Sequence, residues 1–142
     1  MSYCTNEGVF ILPEGYEDDS VNILKFPALT STLVITRAVL KEGMTLDKYI
    51  ASQLAALKKS MKRFIAGDRQ TVPFSTRTEQ TALEIYCEFE QQGRKLFQYL
   101  LIADLTHQLL VMTYSQTRPF TPEDVLHWQT IKAGFSPVSL PQ

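Results

Sequence analysis

Hydrophobic and polar positions along the chain follow two periods, and the change from one to the other marks out the elements. Between residues 20 and 38 the period is two. In "SVNILKF" one face carries Val21, Ile23 and Lys25, and the other carries Ser20, Asn22, Leu24 and Phe26. In "TLVITRA" Thr32, Val34, Thr36 and Ala38 share one face, while Leu33, Ile35 and Arg37 share the other. Ahead of these, "GVFIL" reads as a strand ending at Pro13, and "PEGYEDD" is a polar turn. Pro27 stops the second run and Gly43 closes the third. The period then becomes helical. Leu46, Ile50, Leu57, Met61 and Phe64 fall within one arc at about 100° per residue. Thr45 is the N-cap candidate and Asp47 lies in the first turn, so a helix is predicted from Thr45 to about Phe64, before Gly67.

Four more β-like runs follow. "RQTVPFSTRT" contains Pro73, which places it at a sheet edge or bulge. "TALEIYCEFE" alternates, "QQG" is a hairpin turn into "RKLFQYLLIA", and "HQLLVMTYSQ" completes a meander. The last element, "FTPEDVLHWQTIKAGF", opens with Thr121 as N-cap, Pro122 at the first helical position and acids in the first turn. Val125, Trp128, Ile131 and Phe135 then share a side that can face a sheet. Strand runs around two helices predict α+β: a single domain over residues 1–142, with an antiparallel sheet and two main helices packed against it.

Composition narrows the function classes. The chain has 142 residues, 44% of them apolar, which suits one globular core without metal or disulfide. A net charge of −1 does not point to nucleic acid or an anionic membrane. Cys4 and Cys87 have no CxxC spacing and read as free thiols. The N-terminus lacks a secretory signature, and no run approaches the roughly 18 apolar residues of a membrane span. The expected location is the cytoplasm.

Candidate chemistry is thin. His107 and His127 have no ligand-spaced partners, and GxSxG, GxGxxG and phosphate-cradling loops are missing. Cys87 reads as a small packed residue in mid-strand. Glu84, Tyr86, Glu88 and Glu90 alternate along the same strand, the usual mark of a solvated face. The basic run Lys58, Lys59, Lys62 and Arg63 lies opposite the apolar arc of the helix and reads as its solvated side. The expectation is a protein that is not an enzyme and takes no cofactor or metal.

The binding signal lies elsewhere. Neither "SVNILKF" nor "TLVITRA" has a clean polar face, so the sheet is either covered on both sides or leaves an apolar, hydroxyl-dotted face open. Gln53 sits within the apolar arc of the helix, with Ser60 beside it. A buried amide without partners costs on the order of 1–3 kcal/mol, so Gln53 must bond inside the fold, reach water or meet a ligand. An apolar face carrying hydroxyls and an amide suits a transmembrane helix held out of its membrane, since such helices associate through small residues and Ser, Thr and Gln.

The succession "DDSVNILKFP", "LVITR", "YIASQLAALKKSMKRF" and the later "GRKLF…LLI" hairpin resembles the Eag-type effector chaperones of bacterial type VI secretion, over about Gly8 to Pro137. The most specific parts are S-x-N-I-x-K-x-P at Ser20–Pro27 and Y-x-A-x-Q-L at Tyr49–Leu54. The resemblance implies a DcrB/PsbP-like α+β fold, paired as a homodimer. It implies binding of the hydrophobic N-terminal transmembrane segments of a PAAR/Rhs effector in the cytoplasm, before loading on the VgrG spike. By position, the implied helix-binding residues are Val21, Ile23, Thr32, Val34, Thr36, Gln53, Leu57 and Met61, with Gln98 on the later hairpin. Threonines replace the serines frequent in that family on "LVITR". The alternative is a non-enzymatic module of the same fold that binds an apolar ligand or serves as a structural subunit.

Overall fold

In the computed structural model, which describes residues 2–75, 80–105 and 108–136, the strand runs join into one antiparallel sheet. A short hairpin, β1 (Ser2–Cys4) with β2 (Val9–Ile11), precedes it. The large sheet contains β3 (Asn22–Phe26), β4 (Ser31–Ala38), β5 (Lys62–Ala66), β6 (Gln70–Pro73), β7 (Thr81–Gln91), β8 (Arg94–Asp104) and β9 (Leu109–Gln116). Its spatial order is β3-β4-β9-β8-β7-β5, with β6 also paired to β7. The helices are α1 (Leu46–Ser60) and α2 (Pro122–Ala133), and the result is a single α+β domain with one helix on each side of the sheet.

Local chemistry accounts for the element ends. The turn between β7 and β8 puts Gln92 and Gly93 both at positive φ (53° and 78°), the geometry that matches hairpin twist. Thr45 caps α1 by accepting from the Lys48 N–H. A reciprocal box opens α2: Thr121 accepts from the Asp124 N–H while the Asp124 carboxylate accepts from the Thr121 N–H. Pro73 ends β6 at the sheet margin, as its missing N–H requires.

The first helix is shorter than its pattern. It ends at Ser60, Met61 is extended (φ −108°, ψ 144°), and 62–66 form β5 against β7. Residues three apart face opposite sides on a regular strand, but a register shift between Lys62 and Ile65, with Arg63 at φ 53°, turns Phe64 against the core beside Phe89. Met61 and Phe64 therefore point inward whether the chain there is helix or strand. Lys62 and Arg63 consequently lie on β5 and not on the solvated side of a helix.

Register divides the sheet into two faces, because residues directly opposite share a side. Ile23, Val34, Thr113, Leu100 and Ile85 form one row across five strands. Leu24, Leu33, Tyr114, Tyr99 and Tyr86 form a row on the other face. The second face lies under α2, where Leu33, Leu101, Met112, Tyr114 and Trp128 are buried in one cluster with Ile131 and Phe135 packed against it. Tyr114 and Trp128 stack with centroids 5.2 Å apart.

The acids of β7 are not a solvated row. Glu84 accepts from Lys132 Nζ at 2.6 Å and from Trp128 Nε1 at 3.2 Å, underneath α2. Glu88 pairs with Lys95 and Glu90 with Arg63. Tyr86 packs on Tyr99 and Phe120. Alternation on this strand records two covered faces, one of them carrying paired charge.

Candidate binding site

On the first face α1 covers only part of the sheet. Ile50, fully buried, stands over Ile85, Cys87, Phe89, Ile102 and Leu109, with Leu46, Tyr49, Leu54 and Met61 packed around them. That cluster sits mainly on β7 and β8. The same face continues across β9, β4 and β3 as Thr113, Ser115, Thr32, Val34, Thr36 and Ile23, none of which belongs to either core cluster. Ile23 is 59% exposed, and Val21, just before β3, is 53% exposed. Thr32, Val34, Thr36, Thr113 and Ser115 are half-buried.

The sequence-predicted residues thus separate into three groups. Thr32, Val34, Thr36, Ile23 and Gln98 come together on one sheet face by register, Gln98 through Ser115 on β9. Gln53 and Leu57 lie on the helix that covers the neighbouring part of that face; Gln53 is exposed and Leu57 half-buried outside the core cluster. Met61 is committed to the core beneath α1. Of the three fates open to the Gln53 amide, exposure removes the bond inside the fold and leaves it facing outward.

Gln98 is the unusual member. It is buried, between Cys87 on one side and Ser115 on the other. Among the described residues its amide makes no side-chain hydrogen bond. The side-chain atoms closed off from solvent without a partner among the described residues are Ser31 Oγ and Gln116 Oε1, so the Gln98 amide keeps contact with the open face.

Thr113 and Ser115 escaped the sequence reading. Their signal is present in "VMTYS", where aliphatic and hydroxyl residues alternate as in "TLVIT", but only the β4–β9 register reveals that the two patterns lie side by side.

The electrostatics of this face are quiet. Burial pushes the Cys87 thiol up to about 11, so it stays protonated and is a packing residue, not a nucleophile. On the α2 face burial also raises the Tyr86 and Tyr99 phenols, with the Glu88 and Glu84 charges adding to it. His127 lies on that face too, its Nδ1 2.6 Å from the Tyr114 hydroxyl and its ring edge-on to Phe26. His107 lies outside the described residues. Among the described residues no cluster of His, Cys, Asp and Glu is arranged to hold a metal, and no helix is long and apolar enough to cross a membrane. What the face offers is shape, apolar surface and scattered hydroxyl and amide groups.

The chain is thus a helix–sheet–helix protein whose two sheet faces are covered to different extents. The profile of the DcrB family matches residues 7–134, and the chain belongs to that family. A crystal structure of a Pseudomonas aeruginosa protein of unknown function, described as a candidate regulator, has the same fold. It superposes with a TM-score of 0.75 at 22% identity, covering 99% of this chain and 98% of that one. No curated protein matches the chain.

Proposed function

We propose that this chain is a chaperone of the Eag type in bacterial type VI secretion. It shields the hydrophobic N-terminal transmembrane helices of a PAAR/Rhs effector in the cytoplasm until the effector is loaded on the VgrG spike, and works as a homodimer without catalysis. The supporting observation is the uncovered part of the sheet over β3, β4 and β9, apolar at Ile23 and Val34 and hydroxyl-bearing at Thr32, Thr36, Thr113 and Ser115. An apolar helix laid there loses water-exposed surface at roughly 25 cal/mol per Å². Its own small or polar residues find hydroxyl partners, as they would against a neighbouring helix in a bilayer. Gln98, on the same face and without a side-chain hydrogen bond among the described residues, would bond a polar group of the incoming helix.

The test is co-expression with the N-terminal region of the effector encoded beside it. The effector fragment should become soluble and co-purify, and Ile23→Asp together with Val34→Asp should abolish the association while the chain stays folded. A fragment that remains insoluble and unbound beside the wild-type chain defeats the proposal.

A further inference from the structure

On the opposite face, between β4, β9 and the C-terminal end of α2, lies a second opening that the chaperone reading does not use. It is a cleft of about 330 Å³ lined by Ile35, Leu110, Met112, Ile131 and Phe135, with Arg37 at its rim. Arg37 also lines a neighbouring cavity of about 570 Å³, which is polar and whose walls include Glu7, Asp18, Asn22, Gln108 and Val21. One guanidinium therefore stands between an apolar slot and a polar chamber.

That guanidinium is held but not neutralised. Its Nη1 donates to Asn22 Oδ1 at 2.5 Å and to the Ser20 carbonyl at 3.4 Å, which fixes its position at the mouth. An arginine carries five N–H donors, so several remain for a ligand. Arg63, Arg69 and Arg118 each pair with a carboxylate, whereas no carboxylate lies within ion-pair distance of Arg37 among the described residues. Asp18, which feels the Arg37 charge through space, accepts from the backbone and hydroxyl of Ser20 and forms no ion pair with the guanidinium.

We propose that this pair of cavities binds a single-chain amphiphile with an anionic head, its hydrocarbon tail in the cleft beside Ile131 and its head group on Arg37. The charge complementarity is specific: an unpaired, positioned cation at the rim of an aliphatic and aromatic slot matches a carboxylate or phosphate ester at the end of an alkyl chain. The anion stays on Arg37 at the mouth, because Glu7 and Asp18 line the polar chamber behind it and repel a negative charge carried further in. The cleft itself lies on the α2 face and shares no lining residue with the proposed helix-binding face; of the helix-binding residues, Val21 borders the polar chamber.

Isothermal titration of the full chain with decanoate, decan-1-ol and acetate tests it. Decanoate should bind saturably, decan-1-ol about tenfold more weakly for want of the charged hydrogen bonds, and acetate not measurably. Arg37→Gln should bring decanoate down to the level of decan-1-ol. Ile131→Trp, which fills the cleft, should remove binding of both, while Ile23→Asp on the far face should change neither. Absence of saturable decanoate binding, equal binding of decan-1-ol, binding of acetate as tight as that of decanoate, or loss on Ile23→Asp overturns the proposal. If Ile131→Trp melts with the fold lost, the wild-type comparison and the Ile23→Asp result decide it.

Discussion

The two faces of the sheet use the same strands and finish them differently. Under α2 the side chains are large and interlocked: Trp128 on Tyr114, Phe74 stacked on Phe135 at 4.4 Å, and a Glu84–Lys132 pair enclosed between helix and strand. Under α1 the core is centred on Ile50, with Phe89 and Phe64 at one side, and reaches β4 only at its end residue Ala38. Where α2 closes its face with aromatic area and satisfied charge, α1 leaves threonines and valine half-exposed. The interlocked aromatic centre of the α2 face, around Trp128 and Tyr114, is where the larger share of the stability resides.

The largest effect should come from opening the sealed face. Trp128→Ala removes the centre of the aromatic stack and the donor to Glu84, and should lower unfolding free energy by about 4 kcal/mol in urea titration. Next, Lys132→Met leaves Glu84 without its cation in a nearly closed site, for a loss of about 3 kcal/mol. Adding Glu84→Gln to that variant should recover most of the loss. No recovery would mean that packing of the lysine stem, not charge, holds this part of the face.

A smaller, pH-dependent effect is expected at Asp124. Arg118 above all, then the Thr121 N–H and the Gln116 amide, hold its carboxyl well below the usual carboxylate range. A depressed value means the charged form favours the fold. That contribution is complete above the ordinary carboxylate pKa of about 4 and is lost progressively as pH falls below it. Asp124→Asn should therefore cost about 1–2 kcal/mol at pH 7 and flatten the acid limb of the stability profile. An unchanged acid limb would assign acid sensitivity to other groups.

The smallest effects belong to the open face. Gln53→Ala and Thr36→Val should each change stability by less than about 0.5 kcal/mol, while weakening capture of the effector fragment. A drop of several kcal/mol for either would make its residue part of the core and erase the contrast between the faces.

How much of this was legible in the chain varies by element. The α2 start was plain, because a capping box and Pro122 act over four residues and need no distant partner. The end of α1 was not, because Met61 and Phe64 suit both a helix and a bulged strand, and only the free edge of β7 decides between them. The strand β1, three residues long, exists through its pairing with β2 and has too little pattern to be read alone. Glu84 looked solvated because alternation cannot tell water from a lysine carried by a helix 48 residues away. For the candidate site, the threonines and Ile23 were legible as one periodic face, but Thr113 and Ser115 depended on strand register.

By itself the sequence determined what short-range physics can encode: periods of two and 3.6, caps, turns, the thiols without a partner motif and the mixed character of both early strands. The tertiary structure decided which faces are covered, since α1 and α2 come to the sheet through contacts between residues far apart in the chain. It also decided the environment of each polar group. Gln53, conspicuous within its helical arc, faces outward, while Gln98, ordinary in its strand, is buried beside the open face. Burial is a property of the assembled layers, and no local pattern carries it.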